Sequence, residues 1–120
     1  LANDLNGNVF MSGYSSSNTS TLIATVGSFQ FAYAGGNYDA FLVKFNTLGV
    51  RQWGTYYGDT DEDKAYYVAT DNAANVFMGG RTLSAANIAS AGFQNTTIRA
   101  PLSHGRLGSP VIRCLGSGVT

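Results

Sequence analysis

Apolar and polar residues alternate along this chain in short runs bounded by Asn, Asp or Gly. Residues 39–46 (DAFLVKFN) put Phe41, Val43 and Phe45 on one face and Ala40 and Leu42 on the other, the two-residue period of a strand. A second strand is expected over 50–57, after a hairpin link of Thr47, Leu48 and Gly49 whose glycine suits a positive φ. Residues 64–70 and 75–81 read as another hairpin around Asn72, Ala73 and Ala74, and residues 8–14 as one further strand. Residues 15–38 lack the alternation and predict a long loop with a short helical turn near 25–31. Both faces of the strands carry apolar or aromatic side chains. Each sheet should therefore be covered on both sides, which small antiparallel sheets achieve by stacking face to face.

The pattern also repeats. NVFMSG at residues 8–13 returns as NVFMGG at 75–80, an offset of 67, and Ala2 and Asp4 recur as Ala69 and Asp71. Ile23-Ala24-Thr25 is echoed by Ile88-Ala89-Ser90, and Phe29-Gln30 by Phe93-Gln94, after a deletion of two or three residues. Four matches in the same order define an internal repeat.

The residues that carry the repeat resemble the bacterial SBBP repeat family of β-propellers. Asp39, Ala40, Phe41, Lys44, Gly49, Trp53, Thr55, Tyr56, Gly58, Ala69, Asp71, Asn75 and Gly80 follow its pattern over about residues 1–97. Asp59 stands where a second glycine is usual, and Ala74 replaces the turn glycine kept at Gly7. A positive φ at Ala74 would cost about 1–2 kcal/mol. The resemblance implies an all-β fold: one blade, with partial copies, of an incomplete antiparallel β-propeller. It implies a secreted or cell-surface bacterial protein that acts as a structural or binding scaffold for a protein or glycan, alongside neighbouring blades of a longer chain. The competing expectation is a blade of a propeller enzyme, quinoprotein-like or glycan-lyase-like, whose active residues lie in other repeats.

Composition narrows the chemistry. Seven basic and seven acidic side chains in 120 residues give no net charge, which removes the electrostatic case for a nucleic-acid or anionic-membrane partner. A single cysteine excludes an internal disulfide framework or a cysteine-rich zinc site. No apolar run is long enough for membrane insertion and no signal peptide opens the chain, which begins at Leu1 and is expected to be a fragment. His104 and Cys114 have no partners in any catalytic pattern, so no catalytic or cofactor-binding residue is expected. The one metal candidate is calcium at Asp59, Asp61 and Asp63, carboxylates spaced i, i+2 and i+4. The EF-hand pattern fails there, with Lys64 at the glycine position and Thr70 at the final ligand, and a solvated turn is the expected reading. Trp53 reads as a packing anchor. Neighbouring tyrosines, Tyr56 with Tyr57 and Tyr66 with Tyr67, should point to opposite faces, so at most one of each pair serves a given surface, and packing in core and rim is expected over glycan stacking. Asp4 and Asp71 should cap the tight turns that follow them.

Residues 98–120 break the pattern. They contain Arg99, Arg106 and Arg113, the only histidine, the only cysteine and both prolines, without a carboxylate. The strand that should follow Phe93-Gln94 is missing. Reading possible codons of residues 104–119 one base later permits a peptide close to T-D-A-L-V-A-R-L-F-D-A-W-G-V, which resembles it. The tail is therefore expected to be an out-of-frame translation, without strand pairing or core burial.

Overall fold

A computed structural model describes residues 1–18, 20–73 and 75–86, with the backbone of 111–115. The described chain is all-β but for one helical turn. Sheet A holds four antiparallel strands in sequence order: β1 (Ala2–Asn3), β2 (Val9–Ser15), β3 (Asp39–Phe45) and β4 (Arg51–Tyr57). Sheet B holds β5 (Asp63–Thr70), β6 (Val76–Thr82) and β7 (Val111–Leu115), again antiparallel. Where strands were expected from alternation, they lie within a residue of the expected bounds.

The repeat is obeyed at the level of backbone pairing. Ala2 faces Phe10 and Asn3 faces Val9; 67 residues on, Ala69 faces Phe77 and Thr70 faces Val76. The connecting turns agree bond for bond. Asp4 Oδ1 accepts the Asn6 and Asn8 amides and Oδ2 accepts the Asn8 side chain, while Asp71 does the same with Ala73 and Asn75. Those bonds, from the asparagine side chain above all, hold both carboxyls below their usual range. Both aspartates are caps, as their place before a tight turn implies. Gly7 has φ 80° and Gly49 has φ 76°, so both turn glycines occupy the left-handed region. The expected strain at Ala74 lies outside the described residues.

The two sheets stack face to face. Phe10, Ala40, Leu42, Trp53 and Tyr57 of sheet A pack on Ala65, Val76 and Met78 of sheet B, with Val68 at the margin. Trp53 is buried, its ring 6.2 Å from that of Phe10. This is the anchor its spacing suggested, and burying two such rings contributes several kcal/mol. At the far end of the stack the Thr70 hydroxyl donates to the Asn3 carbonyl at 2.8 Å, joining two positions that are repeat equivalents.

Two expectations are corrected. The helical turn lies at α1 (Ser20–Ile23), ahead of the expected 25–31, because residues 25–30 are taken up by the outer edge of β4. Thr25 donates its amide to the Gly54 carbonyl at 2.9 Å and accepts the Gly54 amide on its hydroxyl. Gln30 then accepts the Tyr56 amide on its carbonyl and the Gly58 amide on its side chain. The tail was expected to lack strand pairing, yet β7 pairs with β6 from Val76–Leu115 to Gly80–Val111. It fills beside β6 the place that β3 fills beside β2, where β6 presents a row of backbone donors and acceptors to any extended segment. The expectations for burial of Val111, Ile112 and Leu115, and for His104, Cys114 and the arginines beyond Arg81, lie outside the described residues.

Candidate functional site

The polar residues of most interest gather where the link from β4 to β5 meets the loop before β3. Gly58, at the end of β4, leaves no room for a side chain: a Cβ there would sit 2.6 Å from Asp63 Oδ2. Gly36 (φ 70°) lies as close to the Asp61 carbonyl. Two bare glycine backbones thus let the acidic turn fold down onto the sheet ends. Asp63 is drawn inside. Its amide donates to the Tyr38 carbonyl at 2.7 Å. Its carboxylate accepts the Asp59 amide at 2.9 Å, the Ser84 hydroxyl at 2.7 Å and the Thr82 hydroxyl. Burial pushes the Asp63 carboxyl up from its ordinary range, against the pull of these donors.

This geometry separates the three calcium candidates. Asp63 is buried with both oxygens engaged by hydroxyls and an amide, whereas Asp61 lies exposed on the turn and Asp59 is half-buried. Among the described residues no three His, Cys, Asp or Glu side chains converge as a metal would require. Asp63 instead ties the start of β5 to the end of β6. A melting curve taken with and without millimolar calcium should be unchanged for the wild type and for Asp61→Asn. A calcium-dependent rise lost in the variant would restore the site.

Asp39 enters the sequence reading only as one position of a motif. It is completely buried. Its Oδ2 accepts the Ala34 amide at 2.6 Å and the Gln30 side chain at 3.2 Å, and its Oδ1 has no partner among the described residues. Burial raises its carboxyl to about 6, with the charges of Asp63 and Asp59 adding to the rise. The signal was available: an aspartate opening a strand that is otherwise apolar has few ways to stay in water.

The first pair of tyrosines follows the expected alternation and the second sits at an irregularity. Tyr56 and Tyr57 are both buried, on opposite faces of β4, with the Tyr56 hydroxyl donating to the Ser17 carbonyl at 2.7 Å. Tyr66 and Tyr67 are both exposed, and their rings are in edge contact with centroids 6.5 Å apart. The ladder explains this, because Ala65 faces Gly80 and Tyr67 faces Gly79, leaving Tyr66 as an extra residue in a bulge. A bulge breaks the strict alternation that separates neighbours on a regular strand. Tyr14 meets Tyr38 and Tyr66 edge-on, and the Lys64 ammonium lies 4.9 and 4.8 Å from the Tyr14 and Tyr38 ring centroids. Lys64 also pairs with Glu62 at 3.2 Å, so its charge is already answered within the chain.

The described residues thus present packing, capping and a buried carboxylate pair. No helix among them is long and apolar enough to cross a membrane. No protein-family model matches the chain, and no curated protein matches it.

Proposed function

We propose that the chain is a repeat unit of a β-propeller scaffold of the SBBP type, secreted or displayed at a bacterial cell surface. It has no catalytic role of its own and contributes a framework on which a protein or glycan is bound. One observation carries this reading. Two segments 67 residues apart share the same strand pairing and the same aspartate-capped turn, and their sheets stack face to face. A unit that buries its apolar face only against the next unit is the basis of a repeat architecture. In each unit consecutive strands are neighbours, which is how a propeller blade is built.

Two measurements test the proposal. Phe10→Ala removes an aromatic from the contact between the sheets and should cost about 3–5 kcal/mol of unfolding free energy by denaturant titration. A cost below about 1 kcal/mol would mean that the stacking does not hold the units together. The protein should also show no turnover with glycosidic, ester or quinone-dependent substrates. Turnover abolished by a point substitution in this chain would replace the scaffold by a propeller enzyme.

A further inference from the structure

The two repeat turns share their aspartate caps but differ in chemistry. In the first, Asn6 is followed by Gly7; the equivalent residues 67 positions on are Ala73 and Ala74. Asn6 with Gly7 is the only asparagine–glycine pair in the chain, and both residues are exposed. The Asn6 main-chain amide donates to Asp4 Oδ1 at 2.9 Å, but its side-chain amide has no hydrogen-bond partner among the described residues. Gly7 holds φ 80° and carries no Cβ, so no side chain of its own shields its nitrogen from the Asn6 side chain. Asparagine is thermolabile because the next backbone nitrogen can attack its side-chain carbonyl, and glycine in that next position removes the main steric obstacle.

We infer that Asn6 is a site of spontaneous deamidation, with water as the co-reactant, and that its reaction loosens the tie between the two repeat units. The Gly7 nitrogen loses its proton to hydroxide and bonds to Asn6 Cγ. The Cγ–Nδ2 bond then breaks and ammonia leaves, which gives a cyclic imide. Water opens the imide at either carbonyl: breaking the nitrogen bond to Cγ yields aspartate, and breaking the one to the main-chain carbonyl yields isoaspartate. One water enters, one ammonia leaves and nothing is oxidised. The fold slows the first step, because the Gly7 amide donates to the Asp4 carbonyl at 3.1 Å and that bond must open before the nitrogen reacts. Both products add a negative charge beside the Asp4 carboxylate, and isoaspartate also adds a carbon to the main chain between Asp4 and Asn8. The bond from the Asp4 amide to the Asn8 carbonyl, at 3.0 Å, closes that span and supports the pairing of Ala2 with Phe10. Thr47 Cγ2 lies 2.9 Å from where a Cβ on Gly7 would sit, so the longer chain cannot be taken up on that side. β1 carries the Asn3 carbonyl that accepts the Thr70 hydroxyl of the other unit, so strain at the turn reaches that bond. The second turn, with Ala73 in the equivalent place, has no amide to lose there. The inference stands apart from the scaffold reading, since it rests on the chemistry of one turn.

Incubation of the 120-residue chain at mildly alkaline pH, followed by fragmentation mass spectrometry, tests it. The amide-to-acid mass shift should appear first at Asn6, and its rate should rise in proportion to hydroxide. It should run roughly three- to tenfold slower than in a free peptide of residues 1–10, the factor that one intact backbone hydrogen bond implies. A protein-isoaspartate methyltransferase should label the product at the same residue. The aged wild type, separated on an anion exchanger by its added charge, should melt below the unreacted chain. Asn6→Ser should show no shift at that position and keep its melting temperature through the same incubation. A shift absent from Asn6 while the free peptide reacts, or one that appears first at another asparagine, would overturn the site. Aged protein that melts with the unreacted chain would overturn the effect on the tie between the units.

Discussion

Gly54→Ala should lower the stability of the protein by about 3 kcal/mol, read as a fall of roughly 15 °C in melting temperature. A Cβ at this position in β4 would run into the backbone carbonyl of Ile23 at the end of α1, with the Val43 side chain 3.3 Å away on another side. Backbone cannot yield as the tip of a long side chain can. The segment from α1 to Thr25 would have to lift, and the Thr25 bonds to Gly54 would go with it, at about 1 kcal/mol each. Gly49→Ala is the informative comparison. That glycine has a positive φ and open space around it, so it should cost only the left-handed backbone strain of about 1–2 kcal/mol. Equal losses at the two sites would mean that the loop does not lie against β4 as described.

Mild acidification should stabilise the protein, opposite to the usual behaviour of carboxylates in ion pairs. The Asp39 carboxyl is raised from 3.8 to about 6 by burial, so between these values the folded chain holds a proton that the unfolded chain has released. The stabilisation is fully present below about pH 4 and is lost as pH rises through about 6. Two pH units of separation correspond to roughly 3 kcal/mol, and Asp63, raised in the same direction, adds to the slope. Below pH 4 the sign reverses, because Asp4 and Asp71 are lowered and their caps weaken on protonation. Denaturant midpoints measured from pH 3 to pH 8 should therefore peak near pH 4–5. Asp39→Asn should flatten most of the fall between pH 4 and pH 7, leaving the smaller part due to Asp63. A wild type whose stability rises steadily from pH 4 to pH 7 would show that Asp39 is not buried as a carboxylate.

What could be read from the sequence was what depends on neighbours along the chain. Alternation placed β2 to β6 because each of these strands shows its two faces within a few residues. The turns after Asp4 and Asp71 were legible because a short carboxylate bonds to amides two and four positions on. The rest depends on partners far away in sequence. Residues 25–30 carry no pattern of their own, and their conformation is set by β4, some 25 to 29 positions on. The bulge at Tyr66 belongs to the fit between β5 and β6, and no local rule marks it. The acidic run at 59–63 reads in sequence as a solvated turn with one calcium candidate, because only its neighbours along the chain are visible there. Folding turned Asp63 inward and left Asp61 outside, and joined Asp63 instead to Thr82 and Ser84 some 20 residues later.

The cover that residues 25–30 lay along β4 gives the molecule a direction in which it cannot grow. The backbone groups that a further strand would need at positions 54, 56 and 58 are already engaged by Thr25 and Gln30. Sheet A therefore cannot lengthen past β4 by recruiting another chain into its ladder, the step by which exposed strands template cross-β fibrils. The same loop that spoils the alternation of the sequence thereby closes this sheet edge to amyloid-like extension. Thr25→Pro, which removes the amide bonded to the Gly54 carbonyl and the hydroxyl that accepts the Gly54 amide, combined with Gln30→Ala should reopen much of that edge, and thioflavin-positive aggregates on long incubation are the expected sign.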